Sequence, residues 1–133
     1  MGSTDGAAPG WPGSPPRWTS SAKSGVGTAL CPESRVWFSI SHGIVDEVYY
    51  PRVDQACTRD LGLIVTGEDS FFSEEKRHAV HEVAYLSPGV PAYHLTNTCL
   101  QGRYRIEKEI LTDPQRDVLL QRVRFAALQR AVS

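Results

Sequence analysis

No stretch of this 133-residue chain approaches the ~18 consecutive apolar residues that a membrane-crossing helix needs. Its opening residues, Met1 to Gly10, have neither the basic start nor the greasy centre of a secretory signal. No membrane partner is expected. There is no surplus of charge either: 14 basic residues against 15 acidic ones leave a formal net charge of −1. Nucleic acid is therefore not the expected partner, because binding by counterion release needs a concentrated excess of cations. Cysteine is scarce and unpaired in pattern. Cys31, Cys57 and Cys99 form no CxxC pair of the kind that holds zinc or a redox centre, and they read as reduced thiols in a cytoplasmic protein. One disulfide with a spare thiol is the other arrangement that three cysteines allow.

The usual catalytic signatures are missing too. Gly25 and Gly27 invite comparison with a phosphate loop, but Lys23 precedes both and Thr28 has no lysine before it. Ser20 to Leu30 reads instead as a tight, irregular loop. His81 and Glu82 lack the second histidine of a zinc-protease helix, since Tyr85 stands in its place, and His78 falls outside that spacing. Ser41 is not framed by the glycines of a nucleophile elbow. Asp46 and Glu47 follow His42, yet adjacent carboxylates on a strand face opposite ways and cannot jointly flank one bond unless the backbone turns there. A solvated or salt-bridged role suits them better. No catalytic residue, metal ligand set or cofactor is expected.

The positive features are strands. An apolar fraction of 41% with 22% charge is that of one globular domain with a core of its own. From Arg35 to Ile40, Val36, Phe38 and Ile40 alternate with Arg35, Trp37 and Ser39, the period of a half-buried strand. Leu61 to Thr66 is apolar on both sides and reads as a central strand, joined to the first by a long polar loop. Further strands are expected at Phe71 to Phe72, His78 to Leu86 and Ala92 to Cys99. In the run from Arg103 to Ile110, Tyr104, Ile106, Lys108 and Ile110 alternate with charges placed in water. Thr112, Asp113 and Pro114 supply a turn, and Val118 to Phe125 returns as the partner strand. Spacing of this kind predicts antiparallel sheets stacked as a sandwich. Helix propensity over Asp117 to Ala131 offers the competing reading.

The N-terminal arm is different. Pro9, Pro12, Pro15 and Pro16 prevent a continuous helix or central strand, and Trp11 and Trp18 are of the type that lays an extended segment onto an apolar surface. A loose tail is the alternative.

The most unusual run is Glu47 to Asp60, EVYYPRVDQACTRD. Tyr49 and Tyr50 beside Arg52 and Asp54 suit sugar recognition, because a pyranose offers a C–H face for stacking and hydroxyls for bidentate groups. A buried aromatic pair with an ion pair stapling the loop explains the same residues.

At this run the chain resembles a known family, the N-terminal domain of prokaryotic glucoamylases and glucodextranases. The resemblance is carried by RWTSSAKSGVGTAL from Arg17, SRVWFSISHGIVDEVYYPRVDQACTRDLGLIVT from Ser34, FFSEEKRH from Phe71, KEILTDP from Lys108 and RDVLLQRVRF from Arg116. It implies an all-β, antiparallel two-sheet super-sandwich of galactose-mutarotase-like type, present here in part, with an extended N-terminal segment wrapped on one sheet. The expected organisation is a disordered tail over 1–9, a wrapping segment over 10–33 and a truncated sandwich over 34–133. The resemblance implies no catalytic carboxylate in this chain. Those would lie in an (α/α) barrel, C-terminal in the same enzyme and absent here, which is the expected partner, with α-glucan as prospective ligand at Tyr49, Tyr50, Arg52 and Asp54.

Overall fold

The computed structural model describes residues 22–128, and every helix or strand among them is a strand. In chain order these are β1 (Gly25–Thr28), β2 (Trp37–Ser41), β3 (Ile44–Tyr49), β4 (Ala56–Leu61), β5 (Ile64–Thr66), β6 (Phe72–Glu74), β7 (Ala79–Tyr85), β8 (Tyr93–Cys99), β9 (Tyr104–Thr112) and β10 (Leu119–Ala127). They form a four-stranded sheet in the order β1-β2-β3-β4, a second in the order β10-β9-β8-β7, and a two-stranded β5-β6 ribbon. Every pairing is antiparallel. The strand reading of the C-terminal segment prevails over the helical one: β10 pairs with β9 from Leu119 opposite Thr112 to Ala127 opposite Tyr104. Its charges explain the choice, since Arg122 lies opposite Glu109 and Arg124 opposite Glu107.

The two large sheets meet because each carries one apolar face. Phe38, Ile40 and Val45 from the first sheet form a single buried cluster with Tyr93, Leu95 and Ile110 from the second. Burying side chains of this size stabilises by roughly 1.5–3 kcal/mol each. A second cluster of Cys99, Tyr104 and Ile106 is covered by Val65 of β5 and by Phe71, just before β6. The ribbon therefore caps the end of the second sheet that the first sheet does not reach.

Four expectations change. The stretch read as an irregular loop contains β1, and its glycines serve close packing. A Cβ on Gly27 would lie 2.1 Å from Cζ of Phe38, and one on Gly25 would lie 2.8 Å from the Tyr93 ring. The long polar loop between Ile40 and Leu61 is occupied by β3 and β4. His42 and Gly43, with φ of 52° and 73°, make the tight two-residue connection from β2 to β3. Third, Leu61 to Thr66 is not one central strand. β4 ends at Leu61 and the chain crosses to β5, because Leu63 is pinned at both its N–H and its carbonyl to Glu75 (3.1 and 2.9 Å). Leu61, Leu63 and Ile64 are consequently exposed. Fourth, the segment after β6 is not passive: Lys108, on the inward row where the alternation placed it, is fully buried with its ammonium 2.6 Å from the equally buried carboxylate of Glu75. Glu75 lies in the segment expected to be a simple separator.

Candidate functional site

The turn between β3 and β4 carries the residues singled out for sugar contact, and the structure divides them. Tyr49 is the last residue of β3 and points to the polar outer face of the first sheet, half-buried. Its hydroxyl donates to Glu47, and Lys23 lies against Asp46 and 3.2 Å from Glu47. Asp46 is itself buried and accepts a hydrogen bond from the Ser39 hydroxyl (2.7 Å). Burial and then the bond to Glu47 push the Tyr49 phenol above its usual range. Burial alone would lower Lys23, but its bonds to Asp46 and then Glu47 outweigh that and hold its ammonium above the ordinary lysine value. Asp46 and Glu47 are therefore salt-bridged, as expected, but they do not face opposite ways: at the irregular register between β2 and β3 both carboxylates converge on Lys23. Tyr49 serves this cluster.

Tyr50, Arg52 and Asp54 stand apart from it. The turn closes through Tyr50 N–H to the Gln55 carbonyl and Gln55 N–H to the Arg52 carbonyl, both 3.0 Å, with a cis Tyr50-Pro51 bond. Arg52 and Asp54 pair with each other at 2.8 Å on side chains 71% and 60% exposed. An ion pair so open to water contributes little to stability. The Tyr50 ring is 40% exposed and is held from the side by Arg35. The Arg35 guanidinium lies 5.3 Å from the ring centroid and donates to the phenol oxygen at 3.1 Å.

Arg35 is in turn fixed by Asp117, from the turn between β9 and β10. One carboxylate oxygen accepts the Arg35 backbone N–H at 2.6 Å; the other accepts Nη2 at 2.7 Å and Nε at 3.3 Å. The bonds from Arg35 hold the Asp117 carboxyl below the usual carboxylate range. Asp117 likewise raises the Arg35 guanidinium. Neither residue stood out in the sequence. They are 82 positions apart and no local pattern joins them. The result is one partly exposed aromatic ring braced by a charged clamp, with an exposed, mutually paired acid and base beside it on the same turn. A second concavity, about 400 Å³, lies between the end of β1 and the β7–β8 and β9–β10 turns. Leu30, Leu86, Val90, Pro91 and Leu111 dominate its lining, which offers few polar groups to orient a sugar.

The histidines do not converge. His42 meets Ser41, His78 meets the β6 backbone and His81 meets Asn97. Among the described residues no group of three His, Cys, Asp or Glu side chains is arranged to hold a metal ion. All three cysteines are free thiols.

A family model for glucodextranase, domain N, matches residues 8–133. The chain belongs to the glucodextranase domain N family. A glucoamylase from Clostridium sp. (strain G0005) is 40% identical to it over 121 residues, which is 91% of this chain and 17% of that protein. A crystal structure of a bacterial glucoamylase complexed with acarbose superposes with a TM-score of 0.87 at 40% identity, covering 95% of this chain and 18% of the solved one. As a domain N chain it thus spans under a fifth of the length of these relatives, and the all-β architecture described above is theirs over that span.

Proposed function

We propose that this chain is the first part of the non-catalytic β-sandwich domain of a glucoamylase-type glycoside hydrolase that releases glucose from α-glucans. Its role there is to support the folding and docking of an (α/α) catalytic barrel in the same enzyme. The observation that carries this reading is the close superposition on a small, N-terminal-type share of a bacterial glucoamylase at 40% identity. In such an enzyme one carboxylic acid protonates the leaving oxygen while a carboxylate activates water. A cytoplasmic setting is part of this proposal, supported by three cysteines whose spacing forms no pairing motif. The purified chain is expected to release no glucose from maltose or dextrin. Glucose release that persists through purification overturns the reading.

A second reading is favoured by one observation, the exposed Tyr50 ring braced by Arg35 and Asp117. Fixing a ring in advance lowers the entropy lost when a sugar stacks on it. On this reading Tyr50, with Arg52 and Asp54 beside it, touches α-glucan at the edge of the barrel's active site, whereas Tyr49 only supports the strand. In the full-length enzyme, Tyr50→Ala should raise KM or lower kcat with the melting temperature unchanged. A purely thermal effect would leave Tyr50 a structural residue.

A further inference from the structure

One end of the sandwich gathers four connections, β1–β2, β3–β4, β7–β8 and β9–β10. Thr28 closes β1 opposite Trp37, which opens β2, and Trp37 lies opposite Tyr49 at the close of β3. In the second sheet Tyr85 closes β7 opposite Tyr93, and Thr112 closes β9 opposite Leu119. Two contacts hold these turns at a common end. The Arg35–Asp117 clamp joins the β1–β2 connection to the β9–β10 turn. A Cβ on Gly27 of β1 would lie 2.8 Å from the Pro91 carbonyl oxygen, so β1 packs directly on the β7–β8 turn.

The apolar concavity of about 400 Å³ opens at this end. Leu30, 80% exposed, lines it with Val90 and Leu86, which are also open to water. Tyr85 precedes Leu86 and is 63% exposed, with its ring 5.2 Å from that of Tyr93. The supports of this surface are fixed. Tyr93 is buried and donates its hydroxyl to the Val26 carbonyl at 2.7 Å, and in the β7–β8 turn the Leu86 N–H reaches the Ala92 carbonyl at 2.9 Å. Apolar side chains gathered in water on a braced frame favour a covering partner, because their burial is gained while little else has to be ordered.

We propose that this end of the sandwich is the docking surface for the catalytic barrel, which seats an apolar ridge of helix side chains in the concavity against Leu30 and Val90. The inference rests on the reading of the chain as part of a glucoamylase-type enzyme and names the surface through which it acts there. This chain spans 17% and 18% of its two relatives, so more than four-fifths of each lies outside it. Packed helices present ridges of side chains that fit grooves in a neighbour. Continuity with the Tyr50 clamp selects the barrel as occupant. Asp117, which holds Arg35 against Tyr50, and Pro114, which lines the concavity, belong to one turn, so a barrel that meets Tyr50 also covers the concavity. A sugar is the poorer occupant, because apolar groups dominate the lining.

The test is amide hydrogen exchange in the full-length enzyme compared with this chain by itself. Amides in 28–30, 86–92 and 113–118 are expected to exchange about tenfold more slowly in the enzyme, while those of the β2–β3 turn at the opposite end change little. In the enzyme, Leu30→Glu with Val90→Glu should remove that added protection; both side chains stand in water, so the melting temperature of the chain alone should not move. Added protection only at other surfaces overturns the docking surface and leaves the barrel partnership standing. Added protection nowhere overturns both. Full protection in the double variant overturns the role of the concavity, and protection of the chain alone that vanishes on dilution assigns the face to a second copy, which overturns the proposal as well.

Discussion

Arg35 shows how little of this site is local. Its backbone and side chain are both committed to Asp117, and through that pair the β9–β10 turn fixes the outlook of Tyr50 on the far sheet. The Asp117 carboxyl is held below the ordinary value of 3.8 by the bonds from Arg35, so the clamp stabilises the fold above that pH and is lost as pH falls through the depressed folded value. Replacing Asp117 by Asn should flatten the acid limb of a urea-midpoint profile between pH 2 and 5. Retention of the full acid limb in the variant would show that other carboxylates produce it. Tyr50, Arg52 and Asp54 were readable from composition, because aromatic, Pro and bidentate residues cluster in eight positions of sequence. Their separation from Tyr49 follows from strand alternation and was equally readable, but the partner of Arg35 lay beyond any local window.

At the scale of elements, alternation sufficed where both faces were distinct. In β9 it located the buried set Tyr104, Ile106, Lys108 and Ile110. It could not show what pairs Lys108 within that row, and it failed where a strand is broken by a bond from outside it, as Leu63 is by Glu75. Both have one cause. Glu75 accepts from Lys108, Asn97 and Leu63, so a single buried carboxylate joins the ribbon, the second sheet and the crossing between sheets. Removing its counter-charge alone is costly: Lys108→Met should destabilise the chain by about 3–5 kcal/mol. Adding Glu75→Gln should recover part of that loss, since no unpaired charge then remains buried. Chemical denaturation of the two variants measures both effects, and a double variant less stable than Lys108→Met alone would refute the charge argument.

Across the whole molecule the two sheets are unequally covered. Val123 and Phe125 face the same side of the second sheet as the core, yet they are 42% and 53% exposed, and Phe125 stacks on Tyr104 with its outer surface bare. β10 is also an edge strand among the described residues. An exposed apolar edge of this kind favours association. The chain alone should sediment as increasingly large species with rising concentration, and Phe125→Lys should shift it toward monomer; equal association in both would place the contact elsewhere. The family was legible from sequence because these strands keep their order and spacing, whereas the exposed edge depends on what lies beside β10 in space. The order of strands has one more consequence. Each large sheet is drawn from a single uninterrupted run, 25–61 and 79–127, with every strand beside its neighbour in the chain. A ribosome therefore releases the first sheet with all its backbone partners in hand before any of the second exists. Only the greasy side of Phe38, Ile40 and Val45 must wait, as a half-made interior, for the later half of the same message to be translated.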